Sequence, residues 1–101
     1  MPSTQTKGQR QTGFKLKEPS RYNVIMHNDD KTTMDFVVMV LQRIFHKSAD
    51  DAEIVMLKIH NEGAAVVGTY YKDIAETKVR LTHSLARQNG FPLLLTIEED
   101  Q

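Results

Sequence analysis

Asn28, Asp29 and Asp30 stand together at the end of a short apolar run, and His60 closes a later one. These residue types can hold a cation. A primary ammonium carries three donors and needs acceptors around it. A carboxylate supplies charge with its lone pairs, and an Asn side-chain oxygen supplies a further acceptor. A neutral imidazole nitrogen can accept as well. Each residue also has a plainer use. Asn and Asp turn the chain, and a His near a helix C-terminus interacts favourably with the helix dipole. Both uses stay open on pattern alone. A metal site built from His27, Asp29 and Asp30 matches no usual zinc spacing and lacks thiols. No Ser sits in a nucleophile motif and no Gly-rich phosphate loop is present, so nothing in the pattern supports catalysis.

These side chains need elements to aim them. Tyr22 to Met26 suits a strand. Thr32 with Asp35 forms a T-x-x-D capping pattern that predicts a helix. That helix places Phe36, Val37, Val40, Leu41, Ile44 and Phe45 on one face. Ser48 with Asp51 repeats the pattern before a second helix, whose stripe is Ala52, Val55, Met56 and Ile59. Asn61-Glu62-Gly63 ends it, with Gly63 as a left-handed cap. Ala64 to Tyr71 reads as a strand, with Gly68 marking a bulge or a close backbone approach. A third helix begins near Lys72 or Asp73 and runs to Asn89-Gly90. Pro92 blocks its continuation, and Leu93 to Ile97 form a last strand. The expected fold is α+β: a three-stranded antiparallel sheet with three helices in β-α-α-β-α-β order, the helices on one side. Met34, Val37, Met56 and Ile59 are core residues by default, although Met adapts well to lining a pocket.

The chain has 101 residues, room for one core. Thirteen Lys and Arg balance thirteen Asp and Glu, but unevenly along the chain. Residues 1–21 hold Lys7, Arg10, Lys15, Lys17 and Arg21 against Glu18 alone. The remainder is acidic, which argues against a nucleic-acid footprint on the folded part. There is no cysteine, hence no disulfide framework and no thiolate metal site, consistent with a reducing cytosol. No apolar run approaches the roughly 20 residues of a membrane helix, and the N-terminus has no secretory h-region. Residues 1–20 are polar and cannot bury enough surface to offset their ordering entropy. The expected division is a flexible N-terminal extension, 1–20, and a core domain, 21–101.

YNVIMHNDDKTTMDFVVMVLQRIF, followed by MLKIHNEG, VVGTYYKDIAETK and NGFPLLLTIEE, resembles the ClpS family in order and spacing, from Tyr22 to about Glu98. The resemblance implies a cytoplasmic adaptor with no catalytic residue, no metal and no cofactor. Such adaptors recognise N-degrons: substrates with a bulky apolar N-terminal residue (Leu, Phe, Tyr or Trp) and a free α-amino group. They pass these to a Clp AAA+ unfoldase, ClpA- or ClpC-like, and its peptidase. Carried onto this chain, the resemblance implies that Asn28, Asp29 and His60 hold the α-amino group. Thr32, Met34, Val37, Met56, Ile59 and Leu93 would form the side-chain pocket, and Asp73 and Lys78 would contact the unfoldase. The extension would serve handover. Binding to nucleic acid or membrane is not expected, and the chain would act as a monomer. Three positions depart from the family pattern. Lys31 stands where aromatic or small residues are common, Thr33 replaces a frequent Pro, and Lys72 takes the place of a capping Thr. The rival reading is a ribosome-associated or scaffolding interaction domain whose acids only turn the chain.

Overall fold

The computed structural model of the chain describes residues 18–101. Most of the expected extension therefore lies outside the described residues, and Glu18, Pro19 and Ser20 lead as exposed coil into the first strand. The elements follow as β1 (Arg21–His27), α1 (Met34–Arg43), α2 (Ala49–Glu62), β2 (Ala64–Tyr71), α3 (Lys72–Gln88) and β3 (Leu94–Glu99). The order is the expected β-α-α-β-α-β. β1 is the central strand, antiparallel to β2 on one side and to β3 on the other.

Alternation along β1 decides which face is covered. Val24 and Met26 are fully buried, and Ala65, Val67 and Leu95 of the neighbouring strands join them in the core. The intervening residues, such as Val66 and Leu94, lie on the open side and are half exposed. The register slips between Val24 and Ile25, which pair with Gly68 and Val66 and leave Val67 as the extra residue of a bulge. The expected close approach at Gly68 is present as well. A Cβ there would collide with the Tyr70 ring.

The helices present the expected stripes to this face. α1 buries Phe36, Val37, Val40 and Leu41, and Phe45 follows just beyond it. Ile44 is only half buried, because it is already the C-cap residue. α2 buries Ala52, Met56 and Ile59, with Val55 half buried. α3 buries Ala75, Thr82 and Ala86, small residues that let the helix lie close to the sheet. The Thr82 hydroxyl is satisfied by donating to the Lys78 carbonyl at 2.8 Å. His83 Nε2 accepts from the Leu95 backbone N–H at 3.0 Å, so an α3 side chain satisfies a donor of the edge strand β3.

Two caps differ from expectation by one residue each. The N-cap of α1 is Thr33, whose hydroxyl accepts from Phe36 N at 3.1 Å, and not Thr32. The Thr32 hydroxyl is turned toward Asp29 instead. The N-cap of α3 is Tyr71, which has no side-chain capping bond, and not Lys72, although the helix begins at Lys72 as expected. The Ser48 cap and the Gly63 end of α2 occur as expected. Ser48 accepts from Asp51 N at 3.1 Å, and Gly63 adopts φ 92°.

Candidate functional site

The turn between β1 and α1 is tied down at both ends. Asn28 N donates to the carbonyl of Gly63 at 2.9 Å, which fixes the end of β1 against the end of α2. Gly63 N in turn donates to Ile59 O at 2.9 Å, closing the last turn of α2, where His60 sits. The left-handed backbone at Gly63 aims its carbonyl outward in this way. It brings Asn28 and His60, 32 positions apart in sequence, to one place.

Within the turn, Asp29 organises its own neighbours. Its Oδ1 accepts from Lys31 N at 2.8 Å and from Thr32 N at 2.7 Å. Its Oδ2 accepts from the Thr32 hydroxyl at 2.7 Å. Partial burial pushes the carboxyl pKa upward, but the bonds from the Thr32 hydroxyl and the Thr32 and Lys31 amides outweigh it. The net result lies below the usual 3.8, so the group is a carboxylate through the neutral range. These bonds use both lone pairs of Oδ1 and one of Oδ2, so Oδ2 keeps acceptor capacity for a ligand.

One cavity of about 280 Å³ gathers these groups. Asn28, Asp29, Asp30, Thr32, Met34, Val37, Met56, Ile59 and His60 line it. The acceptors lie on the turn and on the last turn of α2, and the apolar wall comes from α1 and α2. All three residues expected at an α-amino group are present, with five of the six expected pocket residues. Leu93 is the exception: it is buried in the core just before β3 and does not line the cavity. Asp30 lines it although the resemblance had not placed it there. Its adjacency to Asp29 was the available signal. Met34, the first residue of α1, remains 45% exposed at this cavity. His27 takes no part, because its ring nitrogen Nε2 lies 2.8 Å from the Thr96 hydroxyl. Among the described residues, no group of three or more His, Asp or Glu is placed to hold a metal ion.

Asp73 and Lys78 occupy a different region, sharing a shallow depression on α3 with Ile74, Thr77 and Leu81. The Lys78 ammonium is already engaged within the chain. It donates to the Ile44 carbonyl at 2.6 Å, and lies 5.2 Å from the Tyr70 ring centre and 5.8 Å from that of Phe45. It thus caps the C-terminal end of α1. A larger groove of about 680 Å³ runs between Pro19, Tyr22, Tyr71 and Glu76, and is open to solvent. Among the described residues, no helix is long and apolar enough to cross a membrane.

Comparison with known proteins gives one answer. The family model of the ATP-dependent Clp protease adaptor protein ClpS matches residues 17–96. The ATP-dependent Clp protease adapter protein ClpS of Desulforapulum autotrophicum is 45% identical over 97 residues, covering 96% of this chain and 89% of that protein. Its counterpart in Oleidesulfovibrio alaskensis is 52% identical over 84 residues, 83% of this chain and 81% of that protein. Among solved structures, Agrobacterium tumefaciens ClpS2 bound to L-phenylalaninamide is similar at a TM-score of 0.79 and 41% identity, covering 82% of this chain and 100% of that one.

Proposed function

Since this chain belongs to the family of ATP-dependent Clp protease adaptor proteins ClpS, we propose that it binds proteins by a bulky apolar N-terminal residue with a free α-amino group. Leu, Phe, Tyr and Trp are the side chains concerned. The captured protein then passes to a Clp AAA+ unfoldase, ClpA- or ClpC-like, in the cytoplasm, the chain acting as a monomeric adaptor and not as a peptidase. One observation carries this reading. A single cavity of about 280 Å³ joins the apolar wall of Met34, Val37, Met56 and Ile59 to the acceptors of Asn28, Asp29 and His60. That size is just below the roughly 300–1,000 Å³ of sites for drug-sized ligands, and suits one side chain. The phenylalaninamide in the Agrobacterium relative supports the same chemistry, being a benzyl side chain beside a free α-amino group.

The energetics favour chain ends. Burying a Leu or Phe side chain contributes about 1.5–3 kcal/mol. A well-formed hydrogen bond to a charged group adds about 1.5–3 kcal/mol. An internal residue offers no ammonium and would cover the Asp29 charge without replacing its water, so the site rejects it. The unfoldase contact falls to the α3 surface around Asp73, where Ile74 and Leu81 are half exposed. Lys78 shapes that surface through its bonds to α1. Labelled peptides beginning with Phe, free and N-acetylated, test the reading. Acetylation is expected to abolish measurable binding. Equal affinity for both would reject the amine site and favour a scaffolding domain with no preference for free N-termini.

A further inference from the structure

Thr32 lines the cavity between the turn and Met34, but its hydroxyl does more than complete a wall. Thr32 Oγ1 donates to Asp29 Oδ2 at 2.7 Å, while Asp29 Oδ1 accepts from Lys31 N at 2.8 Å and Thr32 N at 2.7 Å. An aspartate held by backbone donors on one oxygen alone can still swing the other. A donor on each oxygen leaves one orientation. A hydroxyl has one hydrogen, and this one goes to Asp29, so Thr32 offers a ligand only lone pairs and a methyl group.

We propose that Thr32 is a positioning residue for recognition of the N-terminal ammonium, its hydroxyl fixing the Asp29 carboxylate in the binding orientation while its methyl forms the wall. The inference rests on the reading of the cavity as an α-amino site. It also assigns the two halves of one small side chain to two tasks. The charged and titratable surroundings make the hydroxyl important. Asp30 and His60 line the same cavity, Lys31 lies in the turn, and Asp35 stands in the first turn of α1. Partial burial favours a proton on Asp29. The Thr32 hydroxyl and the two amides outweigh it, which keeps the carboxylate charged.

Two substitutions separate the halves. Thr32→Val keeps the shape and the methyl groups but removes the donor, and Thr32→Ser keeps the donor and removes the methyl. Affinity for a free Phe-initial peptide and its acetylated twin is measured from neutral pH to below 3.8 for wild type and both variants. The Asp29 carboxyl carbon is followed by NMR in the unliganded proteins, a readout that does not depend on binding. Thr32→Val is expected to weaken the free peptide by about ten-fold, the scale of one hydrogen bond to a charged group. Its Asp29 titration moves to higher pH, and its affinity is lost at higher pH than in wild type. Thr32→Ser restores both pH profiles. His60 is common to all three proteins, so its contribution to binding is shared. If Thr32→Val matches wild type in affinity and in Asp29 titration, or Thr32→Ser fails as fully as Thr32→Val, Thr32 is a wall residue only. If wild type itself binds the acetylated twin equally well, the α-amino reading fails and this proposal with it. That outcome is told apart because it needs no variant.

Discussion

Asp29 both builds the turn and faces the cavity, so its removal acts on folding as well as on binding. Asp29→Ala deletes the acceptor for two amides and one hydroxyl. The group is only partly buried, so water compensates in part, and a loss of about 1 kcal/mol of stability is expected. The sign of its pH dependence follows from its lowered pKa. The stabilisation is complete above the unfolded value near 3.8 and is lost as pH falls through the lower folded value. Urea unfolding of wild type and Asp29→Ala should therefore differ at neutral pH and converge below about 3.8. A constant difference down to strong acid would mean that the carboxylate does not hold the turn. Met34 offers a second residue-scale case. Its half-exposed chain stands on the first turn of α1 at the cavity. Ile and Val branch at the β-carbon, close to where a gate would stand, whereas Leu and Phe widen further along. Met34→Ala should lower the ratio of Phe to Val peptide affinity by on the order of ten-fold, the value of about one methylene-sized contact. An unchanged ratio would make Met34 ordinary packing.

At the scale of elements, the end of α2 has the most leverage on the site. Gly63 holds φ 92° with no heavy atom within 4 Å of the place a Cβ would take. Space is therefore no obstacle to a side chain, and backbone conformation is the whole cost. Gly63→Ala should destabilise the fold by about 1–2 kcal/mol, the usual cost of a left-handed residue with a Cβ. Because Gly63 O accepts from Asn28 N, peptide affinity should fall along with stability. Thermal unfolding and peptide titration of the same variant check both. A stable variant with weakened binding would show that the Gly63–Asn28 bond positions the site without holding the fold. The α1 cap shows the same division of labour between neighbours. Thr33 secures the helix while Thr32 serves the turn.

Across the whole molecule, the proposed capture site and the proposed unfoldase contact lie on separate surfaces. The cavity lies among the β1–α1 turn, α1 and α2, and the depression around Asp73 lies on α3, with no lining residue in common. The two activities should therefore separate by mutation. In the proposed function, the basic N-terminal stretch serves delivery and not capture. Removing residues 1–20 should leave peptide affinity unchanged and stop degradation of a Phe-initial reporter by the unfoldase and peptidase. Normal degradation by the shortened chain would reject that role.

The sequence alone determined the order of elements and most of the core, because hydrophobic periodicity is local. The α1 stripe from Phe36 to Phe45 and the α2 stripe of Ala52, Met56 and Ile59 needed no tertiary information. Gly63 was legible for the same reason, since a left-handed helix end leaves a mark in the residue type. The family pattern supplied Asn28, Asp29 and His60 as a set. Three things were decided only by the tertiary structure. Leu93 opens the expected last strand and is expected in the pocket, but it lies just before β3, buried in the core and not among the residues lining the cavity. Lys78 is expected at the unfoldase contact, and only the structure shows its ammonium bonded to Ile44 O beside the rings of Phe45 and Tyr70. Thr32 reads as the cap of α1, but the turn directs its hydroxyl at Asp29 and leaves the cap to Thr33. In each case the outcome depends on where a side chain's partner lies in space, and periodicity along a chain carries no such information.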